Sequence, residues 1–516
     1  MDLDRFLYQL QFQSERVIPA DWKPAWDDAP LPFKLYQHLQ VIPLDGDLPF
    51  SLNAASLASK KGLAKLGPLL WYTYGQTRYS ETATPSQEGF GVETMQAFRR
   101  FVPSGGGLYP SELYIYLKME DVPNGIYHYD AAHHRLLLIR EGNYDAYLTR
   151  ALGHRCDGSQ AQGFLFVTTM FWKNFFKYNS FSYRLQGLDA GALLGQWQEI
   201  SSRAKFSSTV YFQFLDRPIN HLLGLDEQEE SIYAVVPFTL HDHSSLEKNH
   251  VSSSEWSGNI PEVKNSHYQR SINVLDSPFI KKINQQAMFD SPEQFELLKH
   301  KEDDDRNMYP IQPLPEVEPL AYDLAEACRK RHSPELDFIN QTIPLKQLAL
   351  LLKETVQPFS ADLYGKEDRS SLSIYGCFHG VEGLPDGAYR YDAHTHSLIE
   401  IGRGDFRLSL QKAMKVDNVN LHQVPICLHI AGERTHYKKT FGYRGYRIQQ
   451  MEAGMLLQRL LLTASALGMN GHPLLGYDGK ACDRMYQLEG SGETTLIQIP
   501  VGYYQPRSWL VGNMLT

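Results

Sequence analysis

The most distinctive stretch of the sequence is a serine followed by three glycines. Ser104, Gly105, Gly106 and Gly107 follow Pro103 and precede an apolar run that predicts a β-strand. Glycines in succession can adopt positive φ and let a flat ligand approach the backbone, and their N–H groups with a serine hydroxyl can bind a polar edge or an anion. The stretch is neither a Walker loop, because no Gly-Lys-Ser/Thr follows, nor a Rossmann fingerprint, because a strand follows instead of a helix. On composition alone, a flexible surface turn explains it equally well.

Lys177 and Tyr178 lie in a strongly aromatic part of the sequence. The aromatic residues around them are Phe171, Trp172, Phe175, Phe176 and Phe181. Desolvation in such surroundings disfavours the ammonium form and lowers the pKa of a lysine towards the range of a general base. The commoner alternative is a lysine whose stem covers apolar surface while its ammonium group reaches water.

A basic run at 329–332 ends in a hydroxyl residue and is a candidate phosphate site. Arg331, His332 and Ser333 close this run, which follows a short helix-like segment. Bidentate arginine contacts together with the serine could clamp a phosphate group. The simpler interpretation is a helix end whose positive side chains lie near its own carbonyl groups.

The stretch at 471–479, Gly-His-Pro-Leu-Leu-Gly-Tyr-Asp-Gly, follows a helical pattern and predicts an ordered loop or a short strand. Its histidine and the histidines elsewhere lack a consistent metal-ligand spacing. The sequence therefore predicts no metal site.

An internal repeat defines the elements that must position these residues. Residues 123–131 return as 385–393, each with alternating aromatics around a Tyr-Asp-Ala turn that predicts a β-hairpin. Further along, Tyr-Arg, Gln and Ala-Gly recur at nearly the same offset, where helical runs at 188–200 and 451–467 begin. We therefore predict a duplicated α+β unit.

The repeat and the composition between the copies predict four segments. Residues 1–47 form an N-terminal arm, 48–240 the first unit, 241–319 a linker or insertion, and 320–516 the second unit. The interval between the units is polar and contains a serine triplet, a charge run and several prolines.

Composition narrows the class of protein. A chain of 516 residues is longer than a single hydrophobic core usually accommodates. A net charge of −9 disfavours a protein that coats nucleic acid. The five cysteines are scattered and fit a reducing cytoplasm better than a disulfide scaffold. The start of the sequence lacks a signal-peptide pattern, and no run reaches the ~18 apolar residues of a membrane helix. We expect a cytoplasmic protein with no membrane partner.

The motifs together resemble the FMN-dependent nitroreductase family. Arg331-His332-Ser333 resembles its FMN-phosphate motif, and 473–478 is similar to its Pro-x-x-Gly-Phe-Asp segment along the flavin. The 103–110 stretch is similar to its Pro-Ser loop in the form found in azoline dehydrogenases of the SagB/McbC type, which carry a catalytic Lys-Tyr pair where Lys177-Tyr178 falls.

The two copies depart from the family pattern in complementary ways. Copy one has the loop and the Lys-Tyr pair but no basic-serine phosphate motif. Copy two has the phosphate motif but lacks the loop and carries Thr440-Phe441 in place of the pair. Family members are dimers with flavin sites at the interface, so the resemblance implies a tandem pseudo-dimer with one complete site. A further homodimer stays compatible with it.

The resemblance also assigns roles to the site residues. Lys177 and Tyr178 would be catalytic. The FMN-binding residues would be Pro103, Ser104, Gly105, Gly106, Gly107, Arg331, His332, Ser333, Pro473, Leu475, Gly476 and Arg507.

The implied activity is dehydrogenation of a thiazoline or oxazoline, in a small molecule or a peptide, to the azole, with O2 as electron acceptor. One alternative is an NAD(P)H-dependent nitro- or quinone reductase. Another is a degenerate flavin- or peptide-binding scaffold. A retained Lys-Tyr pair argues against the scaffold.

Overall fold

The chain folds into two units, one around each copy of the repeat. The computed structural model describes residues 2–49, 51–52, 60–85, 92–239, 260–299, 309–365, 370–506 and 510–513. The copy-one unit comprises residues 23–277, 289–292 and 506–516, and the copy-two unit comprises residues 1–22, 278–288 and 293–505.

The strands are mostly short and apolar, and those of the two large sheets are largely buried. In chain order they are β1 (Leu35–Tyr36), β2 (Val41–Pro43), β3 (Gln76–Pro85), β4 (Val92–Arg100), β5 (Ser111–Leu117), β6 (Gly125–Asp130), β7 (Arg135–Glu141), β8 (Gly163–Met170), β9 (Ser207–Ser208), β10 (Glu230–Thr239), β11 (His267–Tyr268), β12 (Ile311–Pro313), β13 (Ser373–Phe378), β14 (Gly387–Asp392), β15 (Ser397–Arg403), β16 (Ile426–Glu433), β17 (Asn470–Gly471), β18 (Glu493–Gly502) and β19 (Leu510–Asn513).

The helices range from one turn to long core helices. They are α1 (Leu3–Phe12), α2 (Gly62–Tyr74), α3 (Asp145–Ala151), α4 (Trp172–Tyr178), α5 (Ser182–Arg203), α6 (Asp216–Leu223), α7 (Pro278–Gln286), α8 (Leu324–Lys330), α9 (Leu345–Thr355), α10 (Arg407–Ala413), α11 (Lys438–Phe441), α12 (Arg444–Ala466) and α13 (Gly479–Met485).

Each unit contains a seven-stranded antiparallel sheet with the same topology. The order is β2-β7-β6-β5-β8-β10-β9 in the copy-one unit and β12-β15-β14-β13-β16-β18-β17 in the copy-two unit. The repeated Tyr-Asp-Ala segment forms the predicted hairpin in both, β6–β7 and β14–β15. The correspondence of the two strand orders confirms the predicted α+β fold of two tandem units.

The helix in the middle of each unit is long and enclosed by the protein. α5 packs on β5 and β8 in the copy-one unit, and α12 packs on β16 and β18 in the copy-two unit. Residues on all sides of both helices are buried, as expected for helices inside a core. Both begin earlier than the predicted helical runs, because the polar Tyr-Arg pair of the repeat is itself helical and buried.

Segments outside the two predicted units also contribute to the sheets. β2 comes from the segment predicted as an arm and forms an edge of the copy-one sheet. The described part of 241–319 contains α7, with Ile280 and Ile283 buried, and β12, an edge strand of the copy-two sheet. The charge run at 301–306 lies outside the described residues. Among the helices of the described part of the chain, none has both the length and the hydrophobicity needed to span a bilayer.

A paired substitution tests the enclosed position of α12. Leu460 on α12 is fully buried, whereas Leu408 on α10 is 55% exposed. We expect Leu460→Ala to lower the free energy of unfolding by about 2–5 kcal/mol, because it removes core contacts and leaves a cavity. Leu408→Ala should change it by less than about 0.5 kcal/mol. Urea unfolding followed by circular dichroism measures both, and equal effects would contradict the described packing.

Candidate functional site

The serine-glycine loop is a tight turn held by a carboxylate. Gly106 and Gly107 have φ of 67° and 69°, conformations that favour glycine. The Ser104 hydroxyl donates to Asp189 Oδ2 over 2.6 Å, and the Gly105 N–H donates to Asp189 Oδ1 over 3.2 Å. Asp189 belongs to α5, so the long core helix fixes the position of the loop.

The loop lies directly against the predicted catalytic pair. A Cβ atom at Gly106 would be 2.6 Å from Tyr178 Oη and 3.0 Å from Lys177 Nζ. Any side chain at this position would displace the ends of Tyr178 and Lys177, and the positive φ also favours glycine. The copy-one unit therefore brings together Ser104–Gly107 and Lys177-Tyr178, which are far apart in the sequence.

A buried ion pair anchors the helix that carries the pair. Lys173, one turn before Lys177 on α4, pairs with Glu112 on β5, and both side chains are buried. Glu112 Oε2 is also 2.8 Å from His128 Nε2. Burial alone would raise the pKa of Glu112, but Lys173 and His128 hold it below its usual value.

Tyr109 joins this anchor to the loop. Its N–H donates to Ser104 Oγ over 2.9 Å, and its carbonyl oxygen accepts from Lys173 Nζ over 3.4 Å. Its φ is 49°, a strained value for a tyrosine. The same residue thus bonds to the loop on one side and to the base of α4 on the other.

The environment shifts the pKa values of the pair in opposite directions. Lys177 is half-buried, and its Nζ lies 5.4 Å from the centre of the Trp26 ring. Burial and then repulsion from Arg99 lower the pKa of Lys177. Burial and then the charge of Asp189 raise the pKa of Tyr178 to about 12. At neutral pH the lysine is the better proton acceptor, and the tyrosine stays a hydrogen-bond donor.

The sequence analysis missed two residues of this site. Asp189 comes directly before the repeated Ala190-Gly191, and Glu452 comes directly before Ala453-Gly454, so an acid at the same place in both copies was the available signal. Arg99 offered no such signal. A Cβ atom at Gly107 would overlap the Arg99 guanidinium, which places this cation beside the loop.

In the copy-two unit, the candidate phosphate segment is held by the residues around β17. Arg331 follows the last residue of α8. The His332 N–H donates to Asn470 Oδ1 over 2.8 Å, and Asn470 Nδ2 donates to the Lys330 carbonyl oxygen over 3.3 Å. His472 Nδ1 lies 2.6 Å from the Pro334 carbonyl oxygen. The structure therefore brings the segments 329–334 and 470–476 together.

These two segments have the composition that a flavin phosphate and ring require. Arg331, His332 and Ser333 are half-buried, as are Pro473, Leu475 and Gly476. A Cβ atom at Gly476 would meet no atom of the described residues within 4 Å, so space remains beside its backbone for a flat ligand. An arginine and a hydroxyl fit a phosphate. Arg507, also predicted to bind the flavin, lies outside the described residues.

Tyrosines surround the acid of the copy-two unit that corresponds to Asp189. Glu452 is buried and accepts hydrogen bonds from Tyr364 Oη (2.5 Å), Ser370 Oγ (2.6 Å) and Tyr437 Oη (2.7 Å). The side chains that bond to this acid are thus two phenols and one serine hydroxyl, where copy one has a glycine loop.

Comparison with known families identifies the copy-two unit directly. The model of the Nitroreductase family matches residues 329–503, which contain the phosphate segment, β17 and the following loop. Within the copy-two unit, residues 329–503 are therefore similar to the nitroreductase family. This confirms the family resemblance read from the motifs, and members of this family generally bind a flavin.

Two curated relatives and one solved structure extend the comparison to more of the chain. The nitroreductase-family protein MJ1384 of Methanocaldococcus jannaschii is 27% identical over 201 residues, covering 37% of this chain and 94% of its own. The trifolitoxin-processing protein TfxB of Rhizobium leguminosarum bv. trifolii is 24% identical over 245 residues, covering 45% of this chain and 62% of its own. The similarity to TfxB agrees with the SagB/McbC-type subgroup.

The solved structure is that of a nitroreductase-family protein from Anabaena variabilis. It covers 98% of this chain and 99% of its own, with a TM-score of 0.75 and 20% sequence identity. At this identity the likeness shows the shared fold over both units.

The close approach at Gly106 predicts a specific effect of one methyl group. Gly106→Ala should lower turnover about 10²-fold, because the new Cβ displaces Tyr178 and Lys177. Gly383 is the matched control, since its φ is 72° and a Cβ there would meet nothing within 4 Å. Both variants should lose about 1 kcal/mol of stability from backbone strain.

Steady-state kinetics and thermal melts of both variants check this prediction. Wild-type turnover in Gly106→Ala, or the same loss of turnover in Gly383→Ala, would show that the contact does not matter for activity.

Proposed function

We propose that this protein is an FMN-dependent dehydrogenase that oxidises a thiazoline, an oxazoline or a similar C–N substrate to the aromatic azole. The observation that carries the proposal is the contact of Gly106 with Lys177 and Tyr178. It gives the copy-one unit a general base and a phenol donor directly beside the glycine loop. The similarity to a trifolitoxin-processing protein supports a peptide substrate.

The proposed reaction removes two electrons and two hydrogens from the azoline ring. When bound, FMN supplies the hydride acceptor, and O2 then takes both electrons and leaves as hydrogen peroxide. Lys177, in its neutral form, removes the proton from the adjacent ring carbon. Tyr178 stays protonated and donates a hydrogen bond that orients the ring.

The five cysteines are free thiols, which supports a cytoplasmic setting.

The flavin phosphate is proposed to bind to Arg331 and Ser333, next to His332, and the ring to lie along Pro473, Leu475 and Gly476. Residues 103–107 of copy one are the second proposed set of flavin-binding residues. Support comes from the complementary motifs of the two copies, since each copy retains the part that the other has lost.

Anaerobic reduction distinguishes this function from an NAD(P)H-dependent reductase. With O2 removed, a synthetic thiazoline peptide should bleach the flavin absorbance of the purified protein within the turnover time, whereas NADPH should not. Bleaching by NADPH alone would favour the nitro- or quinone reductase. No bleaching by either compound would contradict both enzyme functions and favour a binding scaffold.

The phosphate assignment predicts the loss of flavin in one double variant. Arg331→Ala with Ser333→Ala should reduce bound flavin to less than about a tenth of the wild-type amount, because charge-assisted contacts to the phosphate are lost. Arg403→Ala is the control, since Arg403 is an exposed arginine of the same unit, paired with Glu400. Absorbance of released flavin after denaturation measures both. Full flavin content in the double variant would refute the assignment.

If Lys177 is the general base, its ability to accept a proton matters for turnover, and its positive charge alone is not sufficient. Lys177→Arg keeps the positive charge but cannot accept a proton near neutral pH, so it should lose about 10²–10⁴-fold in turnover, as should Lys177→Ala. Lys439→Ala, at an exposed lysine on the corresponding short helix of copy two, should leave turnover unchanged.

The pH profile provides the second readout for Lys177. In the wild type, kcat/KM should rise with pH along an ionisation below the usual lysine range, because burial lowers the pKa of Lys177. Both Lys177 variants should retain flavin and lose this limb. High turnover in Lys177→Arg would show that the charge matters and proton transfer does not.

A further inference from the structure

A single carboxylate, that of Asp189, accepts hydrogen bonds from two successive residues of the loop, Ser104 and Gly105. Asp189 uses one oxygen for the Ser104 hydroxyl and the other for the Gly105 N–H. Ser104 Oγ in turn accepts from the Tyr109 N–H. Two backbone amides of the loop, those of Gly105 and Tyr109, therefore depend directly or through one hydroxyl on Asp189.

The internal repeat supplies an independent observation about this acid. Glu452 stands at the same place in copy two and also accepts hydroxyl hydrogens from the preceding loop region, from Tyr364 and Ser370. An acid before the Ala-Gly pair of the long helix thus holds the corresponding chain segment in both units. In copy two it holds a tyrosine and a serine, and in copy one it holds the glycine loop that lies against the Lys-Tyr pair.

We propose that Asp189 is the positioning residue of the active site: its ionised carboxylate holds Ser104 and Gly105 so that Gly106 stays against Lys177 and Tyr178, and protonation of Asp189 loosens the loop. The catalytic purpose of this arrangement rests on the proposed function. The hold on the loop is a property of the copy-one unit itself.

The electrostatics places this change near neutral pH. Asp189 keeps some accessible surface, but the protein packed around its carboxylate shields that group from water. This burial raises the pKa of Asp189 to about 7, although the hydrogen bonds from Ser104 and Gly105 lower it in part. Because these hydrogen bonds act in the opposite direction to burial and lower the pKa, they are stronger to the ionised carboxylate than to the protonated acid. Protonation at an unchanged degree of burial therefore weakens both bonds.

The titratable and charged groups around Asp189 and the loop are two phenols, a lysine and an arginine. Tyr74 of α2 and Tyr178 of α4 face the charge of Asp189, and burial raises the pKa of both phenols. Lys177, beside Tyr178, has a lowered pKa, and the Arg99 guanidinium lies against Gly107 of the loop. A change near pH 7 that Asp189→Asn abolishes is therefore assigned to Asp189.

Hydrogen exchange of the full-length protein tests the hold on the loop without substrate or turnover. The peptide covering residues 103–109 reports the Gly105 and Tyr109 amides, and exchange is expressed as a protection factor to remove the intrinsic effect of pH. In the wild type, protection should fall about tenfold between about pH 8.5 and about pH 5.5. In Asp189→Asn, which resembles the protonated acid, protection should be low and equal at both pH values.

Two controls separate a local hold from general destabilisation. Glu452→Gln makes the matching change in the other copy and should leave protection of 103–109 as in the wild type. Peptides from β5 and β8 should keep their protection in Asp189→Asn. Should Asp189→Asn not fold, the pH dependence of the wild-type peptide decides the matter alone. Equal protection in the wild type at both pH values, or wild-type protection in Asp189→Asn, would overturn the proposal.

Kinetics adds a readout that a purely structural role would not move. Asp189→Asn should retain its flavin and lower kcat about tenfold at about pH 8.5, with a smaller difference from wild type at about pH 5.5. An equal ratio at both pH values would overturn the proposed effect of protonation. A protein that contains no flavin refutes the proposed function, whereas the exchange result still decides the role of Asp189.

Discussion

The absence of a side chain at Gly106 is the constraint on which the copy-one site depends. The backbone there approaches Tyr178 and Lys177 so closely that one methyl group would overlap both. Such an approach is stable only if both partners are fixed. Asp189 on α5 fixes the loop, and the Lys173–Glu112 ion pair fixes the helix of the Lys-Tyr pair. Tyr109 bonds to Ser104 of the loop and to Lys173 of the helix, so the loop and the helix belong to one hydrogen-bonded network.

The two copies share a sheet topology and a long buried helix, but they retain different chemistry. Copy one keeps a glycine loop and a lysine whose pKa is lowered by burial. Copy two keeps an arginine and a serine beside the loop at 473–476 and surrounds the acid equivalent to Asp189 with tyrosine hydroxyls. This division is the basis of the proposal that the two copies supply a single set of flavin-binding motifs.

The sequence predicted the fold well because the signals were local. Alternating aromatics around Tyr-Asp-Ala specify a hairpin by themselves, and their repetition revealed the duplication. The site was only partly predictable. Aromatic neighbours singled out Lys177, but Lys173, one turn earlier in the same surroundings, is the more deeply buried lysine and serves as an anchor. Only the register of β5 against α4 separates the two roles. Asp189 and Asn470 bond to residues distant in the chain, which no local pattern records.

We propose that the two copies of this chain together carry one complete set of flavin-binding motifs. The most direct test of this proposal is the number of flavins bound by the purified protein, obtained from the absorbance of FMN released on denaturation and an independent protein concentration. We expect one FMN per chain. Two per chain would show that both copies bind the cofactor and contradict the division of the motifs, and a colourless protein that does not take up added FMN would contradict the flavin chemistry itself.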